Sequence, residues 1–245
     1  MSEADSPPPE PPPGKPTLHH LDHSQSQRIL WLLCELGIPF NLVLHQRQTS
    51  GAQRQRSPAE LFETHALGKA PQLITADGRT IVESTAIAAY LIRTYDTARR
   101  FQGDGSPAND WVRDESLAAL SGASIGPPAV VALILDLIVK HSPWPLRPLL
   151  RLPLAAIHRV AAEPDLVAIF TYLESELGPR QPYFLGTQPA RCDFMLSFWT
   201  DMCFDRGWLH DSDYPRLKAW RERCKSRPAW KEAMDKGNGY DLASA

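Results

Sequence analysis

The stretch Gly68–Ile92, GKAPQLITADGRTIVESTAIAAYLI, carries the pattern that decides the fold. Two short apolar runs, Pro71–Thr75 and Thr80–Val82, flank Asp77-Gly78, a favoured two-residue turn between antiparallel strands. The segment Ser84–Tyr95 then repeats apolar residues at helical spacing. The pattern therefore predicts a hairpin that runs directly into an amphipathic helix.

The sequence before this hairpin predicts a strand–helix–strand unit. Thr17–Leu21 and Phe40–Leu44 are strand candidates, and Gln25–Leu36 between them has one apolar helical face that ends at a Gly. Such a unit favours a parallel strand pair with a right-handed crossover. With a short helix that starts at Pro58, the predicted order is β-α-β-α-β-β-α.

The second half of the chain predicts helices without a convincing alternating strand. A Gly/Ser/Pro/Asp-rich stretch, Gly103–Asp110, has the composition of a linker. We predict an α/β domain over 17–98, a linker over 99–110 and an all-helical domain over 111–245. The predicted helices are Trp111–Gly122, Ala129–Lys140, Pro148–Glu163, Asp165–Leu177, Asp193–Arg206 and Tyr214–Arg227.

Composition excludes several classes of function. The formal net charge of -2 does not favour a nucleic-acid partner. The four cysteines form no C-x-x-C pair and no zinc-type spacing, so we expect reduced thiols, no bound metal and a cytoplasmic protein. Residues 1–16 are proline-rich and lack a signal peptide's apolar run, which predicts a disordered tail.

The longest apolar run is too short to cross a membrane. Ala129–Val139 contains Asp136 and spans about 16 Å as a helix, roughly half of a hydrocarbon core. We expect it to pack within the helical domain. An apolar edge at Pro127, Pro128, Trp144 and Leu146 leaves peripheral membrane contact open.

Two segments resemble serine-type glutathione transferases: Gly68–Ile92 and Leu18–Phe40, LHHLDHSQSQRILWLLCELGIPF. The resemblance extends in order and length over nearly all of Thr17–Arg227. The proline-rich middle, Gly126–Pro153, looks most like a fungal and bacterial branch. The resemblance implies the two-domain fold of that family, with a thioredoxin-like N-terminal domain and an all-α C-terminal domain.

The resemblance also implies a site for glutathione. Ser84 would bind the γ-glutamyl carboxylate at a helix start, where free N–H groups favour anions, and Glu83 would face the ammonium group. Plain helix capping is the alternative, and both roles are compatible. In the family, a cis-proline matches Pro71, and the backbone of Ala70 pairs with the cysteinyl part. Lys69 is a candidate partner of the glycyl carboxylate or a solvated lysine.

The thiol of glutathione would lie near the start of the first helix. In serine-type members, a hydroxyl here donates a hydrogen bond to the sulfur and so favours the thiolate. Ser24 is our candidate, and Ser26, within one turn of it, is the alternate. The alternative role for Ser24 is a helix N-cap.

Three features depart from the family pattern. Cys34 stands where an acidic residue is common, and we interpret it as a packing residue. Ala190 replaces the hydroxyl residue that opens the Ser/Thr-x-x-Asp capping box before Asp193. The third is a basic loop whose arginines we expect to be solvated rather than anion-binding: Arg47, Arg54 and Arg56.

We therefore expect a glutathione transferase without a cofactor, with glutathione as co-substrate and a second, electrophilic and apolar substrate. Glutathione peroxidase activity is a further expectation, since the same site serves it in many relatives, and detoxification is the general role that this chemistry implies. A non-catalytic glutathione-binding regulator or scaffold on the same fold is the rival class. The candidate walls of the second pocket are Trp111, Trp144, Trp199 and Trp208.

We also expect a homodimer, as is usual for the family. The predicted helix Ser84–Tyr95 carries more apolar and aromatic residues than one buried face requires, and the next helix mixes apolar with charged residues. The candidate interface residues are Tyr90, Ile92, Arg93, Tyr95, Trp111, Arg113, Asp114, Glu115 and Leu117.

Overall fold

The computed structural model describes residues 13–48, 56–103, 106 and 110–243. Residues 1–12, which hold most of the proline-rich tail, lie outside that range, as do residues 104, 105 and 107–109 of the linker. The disordered tail and the domain bounds therefore stay predictions.

The first domain is a four-stranded sheet flanked by helices. Its elements are β1 (Thr17–Leu21), α1 (Ser26–Leu36), β2 (Asn41–His45), α2 (Glu60–Thr64), β3 (Gln72–Ile74), β4 (Thr80–Val82) and α3 (Ser84–Tyr95). The strand order is β2-β1-β3-β4. β1 pairs in parallel with β2 and antiparallel with β3, and β4 is antiparallel to β3. This is the predicted element order with the predicted parallel pair.

The β3–β4 turn is wider than the sequence predicts. The backbone N–H of Thr75 donates to the carbonyl of Arg79 at 2.8 Å, so three residues rather than two form the tip. Gly78 has a φ of 88°, the left-handed conformation that glycine adopts without a steric penalty. Asp77 and Gly78 are thus the second and third residues of a three-residue turn, whereas the sequence predicts a turn of these two residues alone.

The second part of the chain folds mainly into helices, with two isolated β-bridges in the segment between residues 177 and 190. Its α-helices are α4 (Trp111–Leu120), α5 (Gly126–His141), α6 (Arg147–Ala161), α7 (Glu163–Glu176), α8 (Arg191–Asp205), α9 (Pro215–Ser226) and α10 (Pro228–Lys236). Helix α10 was not predicted. It begins after Arg227, which is extended, and Pro228 occupies its first turn, where a missing N–H has no cost.

A continuous helical rod replaces the two separate helices predicted around Gly122–Pro128. A π-helical turn, Ser121–Ile125, joins α4 to α5, so the rod runs over 31 residues, or about 46 Å. Pro127 and Pro128 come just after this turn, and neither has an N–H to donate to the preceding carbonyls of the rod. By length and composition the rod could cross a membrane, with a mean hydropathy of 1.9, but core helices of soluble proteins pass the same test.

Helix α1 joins the two domains in one hydrophobic core. The ring of Trp31 lies 4.5 Å from that of Phe194 on α8 and 5.1 Å from that of Trp230 on α10. All three side chains are buried. Because α1 is fixed on two sides by the helical domain, its N-terminal end has a defined position against α8.

Helix α8 starts without the hydroxyl cap, yet its first N–H groups have partners. Ala190 has no side-chain acceptor, so only the carboxylate half of a capping box is present: Asp193 accepts from the N–H of Ala190 at 2.8 Å. The missing acceptor is supplied from α4, where Asp114 accepts from the N–H of Cys192 at 2.9 Å. A distant side chain therefore replaces the local cap that the sequence lacks at this helix start.

Candidate functional site

Ser24 and Ser26 form a compact hydroxyl pair between β1 and α1. Their Oγ atoms lie 2.7 Å apart, and each also lies within 3.0 Å of the carbonyl oxygen of Leu21. Ser26 additionally accepts from the N–H of Leu21 at 3.0 Å. Ser24 lines an interdomain cavity, whereas Ser26 is fully buried and does not.

A groove of about 160 Å³ at the start of α3 brings together all five other predicted glutathione residues. Its lining is Gln25, Leu67, Lys69, Ala70, Pro71, Val82, Glu83 and Ser84. The peptide bond Ala70-Pro71 is cis, as predicted. Gln25 was not predicted, because glutamine at a helix start has no distinctive sequence signal.

The groove ends at the N-terminus of α3, where Glu83 has an unusual backbone. Its φ of 65° is left-handed, which is uncommon for a residue with a side chain. This conformation turns the chain sharply from β4 into the helix that begins at Ser84. Positive helix-end charge and free N–H groups at such a position favour an anion.

Arg28 lies buried behind the groove and joins it to the helical domain. Its guanidinium donates to the hydroxyl of Ser84 and to the side-chain oxygen of Gln25. It also donates to the hydroxyl of Ser121 and to the carbonyl of Met195, both at 2.6 Å. Burial lowers the pKa of Arg28 to about 10, so the side chain stays charged at neutral pH.

The groove opens into a larger cavity of about 280 Å³ between the two domains. Ser24 lies on its wall, and Gln25, Lys69 and Ala70 line both spaces. The helical domain contributes a largely apolar wall: Leu133, Leu137, Phe198, Trp199, Met202 and Arg206. The combined site therefore has a polar end and an apolar end that meet at Gln25, Lys69 and Ala70, and Ser24 lies on the cavity side.

Three of the four tryptophans predicted as pocket walls are not in this cavity. Trp199 lines it, but Trp111 and Trp144 are largely exposed, at 75% and 80%. Trp208 lies in another groove and donates to Asp136 at 2.8 Å. The wall is instead built from α5 and α8, whose inward leucines and Phe198 have no sequence signal that separates them from core residues.

Arg47 is not the solvated arginine that the sequence predicts. It lines the cavity, and its Nη2 lies 3.3 Å from the carbonyl oxygen of His23. Burial lowers its pKa, while nearby Asp22 opposes that effect. Arg56 is exposed as expected, and Arg54 lies outside the described residues.

None of the four cysteines lines the cavity. All are free and buried, which confirms the expectation that Cys34 is a packing residue. Burial raises the pKa of the Cys34 thiol to about 12 and also raises the pKa values of the other three. Because a thiolate is the reactive form, these cysteines are poor candidates for redox chemistry.

The fold and the site define a class: a thioredoxin-like domain with a cis-proline groove, packed on an all-helical domain. A family model described as "Glutathione S-transferase, N-terminal domain" matches residues 24–94, and one described as "Glutathione S-transferase, C-terminal domain" matches residues 155–228. The chain therefore belongs to the glutathione transferase superfamily.

Similar proteins come from fungi and bacteria, in agreement with the predicted branch. The chain is 26% identical over 225 residues to glutathione S-transferase 1 of Saccharomyces cerevisiae, covering 89% of this chain and 94% of that one. It is 29% identical over 224 residues to glutathione S-transferase 3 of Schizosaccharomyces pombe, covering 89% and 86%. A crystal structure of a glutathione S-transferase from Actinobacillus pleuropneumoniae is similar with a TM-score of 0.72 and 26% identity, covering 94% and 96%.

Proposed function

We propose that this protein is an enzyme that transfers the glutathione thiolate to an electrophilic, apolar substrate. The observation that carries this proposal is the junction of the polar groove and the apolar cavity at Gln25, Lys69 and Ala70, with the hydroxyl of Ser24 on the cavity wall. Relatives named glutathione S-transferases over nearly the whole chain support the same reaction.

The groove has complementary groups for each part of glutathione. The start of α3 at Ser84 suits the γ-glutamyl carboxylate, and the Glu83 carboxylate suits the ammonium group. The backbone of Ala70 would pair with the cysteinyl unit as a short added strand. Lys69, which is exposed at the junction, would face the glycyl carboxylate.

The position of Ser24 on the cavity wall favours it over Ser26 as the donor to the sulfur. Ser26 accepts from the N–H of Leu21 and can donate its single proton to the Leu21 carbonyl, so its hydrogen bonds are internal. The Ser24 hydroxyl accepts from the N–H of Ser26 at 3.2 Å and donates to the Leu21 carbonyl at 2.8 Å, so its proton would exchange that bond for one to the sulfur in the cavity that Ser24 lines. A hydrogen bond to the thiolate lowers the pKa of the bound thiol.

The chemistry then requires little from the protein beyond binding and orientation. The thiol proton leaves to solvent, the thiolate forms a carbon–sulfur bond, and the leaving group departs with its electron pair. The same thiolate can attack a hydroperoxide; a second glutathione then completes the balance to oxidised glutathione, alcohol and water. Transferase and peroxidase activity therefore share one binding site.

Retention on immobilised glutathione, followed by turnover of a chlorodinitrobenzene and of cumene hydroperoxide, tests this proposal. We expect retention on glutathione together with conjugation of the chlorodinitrobenzene. Turnover of cumene hydroperoxide measures the peroxidase activity. Retention without turnover of either compound would instead support the non-catalytic regulator. Failure to bind glutathione would contradict both.

The Ser24→Ala variant tests the role of the hydroxyl. We expect a loss of turnover on the order of 10- to 100-fold, the value of a hydrogen bond to a charged group, with retention on glutathione nearly unchanged. The pH dependence of the rate should also show a pKa for the bound glutathione thiol that is about one unit higher than in the original protein. Ser57→Ala, on the same cavity wall, is the matched control and should leave the rate unchanged.

We propose a homodimer in the cytoplasm, where glutathione is abundant and the free thiols stay reduced. The structure revises the residues expected at the interface, because Ile92 and Leu117 are buried in the core. Trp111, at 75% exposure, lines a groove of about 240 Å³ with Arg93 and is the remaining anchor. Light scattering should give twice the mass of the 27.4 kDa chain, and Trp111→Glu should shift it toward the monomer.

A further inference from the structure

Helix α6 takes no part in the proposed reaction. None of its 15 residues is buried, although six of them are leucine, isoleucine or valine. It packs on α5 and α7 along one side. An apolar helix with so little covered surface is unusual in a monomeric soluble protein and marks an interaction site.

Several apolar side chains of α6 point away from the protein. Leu149, Leu152 and Val160 are 72%, 81% and 80% exposed, and their helical spacing places them on one face. Trp144, just before the helix, is 80% exposed, and Ile138 at the end of α5 is 43% exposed. This group, which we call the α6 face, forms a convex apolar surface.

The structure changes the apolar edge that the sequence suggested. Trp144 and Leu146 are exposed as that edge requires, but Pro128 is buried at the start of α5. The edge therefore does not extend along the whole rod. It continues instead onto α6, whose exposed residues the sequence could not separate from core residues.

The α6 face is bordered by positive charge. Between Asp136 and Glu163 the chain has four Lys or Arg residues and no Asp or Glu, although its overall formal charge is -2. The four cations are Lys140, Arg147, Arg151 and Arg159. All four line a groove of about 740 Å³ beside α6.

The two acidic residues of this groove already have partners within the protein. Asp136 accepts from Trp208 at 2.8 Å and lies 3.5 Å from Arg206, and Glu163 lies 3.9 Å from His158. Among the described residues, neither Arg151 nor Arg159 has an ion-pair partner. The positive charge on this side of α6 is therefore available to an external anion.

We propose that the α6 face docks peripherally on an anionic lipid surface, with its apolar residues in the headgroup region and its arginines on lipid phosphates. An amphipathic basic helix that lies in the plane of the interface binds in this way. A second copy of the chain is a poorer occupant, because a two-fold contact would place these cations against each other. The rod α4–α5 does not cross the bilayer, since Leu117, Ile125 and Ala129 are buried in the core.

Sedimentation of the full-length protein with vesicles tests this docking. We expect binding to vesicles that contain phosphatidylserine, little binding to pure phosphatidylcholine, and release at 0.5 M salt because screening weakens the charge contacts. The double variant Arg151→Glu/Arg159→Glu and the variant Val160→Glu should each weaken binding on the order of tenfold or more. Val43→Glu, on the exposed edge strand of the other domain, is the matched control and should bind like the original protein.

Three outcomes would overturn the proposal: equal binding to neutral and anionic vesicles, full binding by both α6 variants, or no vesicle binding at all. If vesicles do not bind and Val160→Glu reduces the mass in solution, the face is an interface between copies. Circular dichroism checks that each variant folds. If Val160→Glu does not fold, the double variant Arg151→Glu/Arg159→Glu still tests the proposal. Retention on glutathione should be the same in every variant, so this test is independent of the proposed reaction.

Discussion

At the scale of a single residue, Arg28 links the candidate glutathione groove to the helical domain. The buried guanidinium donates through both Nη atoms to acceptors from both domains, while its Nε has no hydrogen-bond partner among the described residues. Its Nη2 atom donates to the side chains of Gln25 and Ser84 in the groove, and its Nη1 atom donates to Ser121 in the π turn. The position of the Ser84 hydroxyl therefore depends on contacts made outside its own domain.

Substitution of Arg28 should affect both stability and glutathione binding. We expect Arg28→Met to lower the free energy of unfolding by about 2–4 kcal/mol, because it leaves several buried acceptors without a donor. Retention on immobilised glutathione should weaken as well. Arg93→Met, at an exposed position on α3, is the control and should stay within about 0.5 kcal/mol. Full retention by a folded Arg28→Met protein would contradict the link to the groove.

His20 makes stability depend on pH. It is fully buried on β1, its ring nitrogens have no hydrogen-bond partner among the described residues, and burial lowers its pKa to about 4. The folded state thus favours neutral imidazole, so stability is present above the unfolded pKa of about 6.5 and is lost as pH falls toward 4. The loss approaches about 3 kcal/mol. Chemical unfolding of His20→Asn at pH 7 and pH 4.5 should show a smaller difference than the original protein; an equal difference would exclude His20 as the cause.

At the scale of elements, the start of α8 shows how one helix caps another. Asp193 satisfies the N–H groups of Ala190 and Phe184 and accepts from Trp220 at 2.7 Å. Asp114 on α4 provides the remaining acceptor and forms an ion pair with Arg191 at 2.8 Å. Since α8 also carries Phe198 and Trp199, these caps hold the floor of the substrate cavity.

Asp114 and Glu115 offer a matched test of this cap, because both contact Arg191. Asp114→Ala removes the acceptor of the Cys192 N–H and should cost about 2–3 kcal/mol in the free energy of unfolding. Glu115 is 54% exposed and makes only the ion pair among the contacts described, so Glu115→Ala should cost about 0–1 kcal/mol. Equal costs in urea unfolding would show that the ion pair, and not the cap, stabilises α8.

At the scale of the whole molecule, the proposed function divides substrate binding between the two domains. The groove belongs to the first domain, while the apolar wall of the cavity comes from α5 and α8. The packing of Trp31 against Phe194 keeps the two parts at a fixed distance. Binding of glutathione and of the electrophile should therefore respond to different substitutions.

Leu137 tests this division. We expect Leu137→Ala to raise the KM for an apolar electrophile about 5- to 10-fold, since it removes roughly 1 kcal/mol of apolar contact, and to leave the KM for glutathione unchanged. Ile138→Ala, one residue later and outside the cavity lining, is the control and should change neither constant. A change in the glutathione KM alone would contradict the division.

Local patterns were sufficient to predict the elements of the first domain, and the family resemblance added the groove residues and the cis-proline. The bounds of β1, β4 and α3 agree with the periodicity, and the cis bond at Pro71 is confirmed. These features depend on neighbours in sequence: a proline ring, a turn glycine, or a helix start. The roles of Ser24 and the groove residues in catalysis stay predictions, since no bound glutathione tests them.

The sequence by itself determined the order of elements, the two-domain family and the residues that line the groove. The tertiary structure decided what depends on distant partners: the cap from Asp114, the buried fork of Arg28, the place of Arg47 in the cavity and the continuous rod through the π turn. It also decided which apolar helix stays uncovered. The physical reason is that hydrogen-bond satisfaction and burial are properties of the packed chain, whereas periodicity and turn chemistry act between residues that are close in sequence.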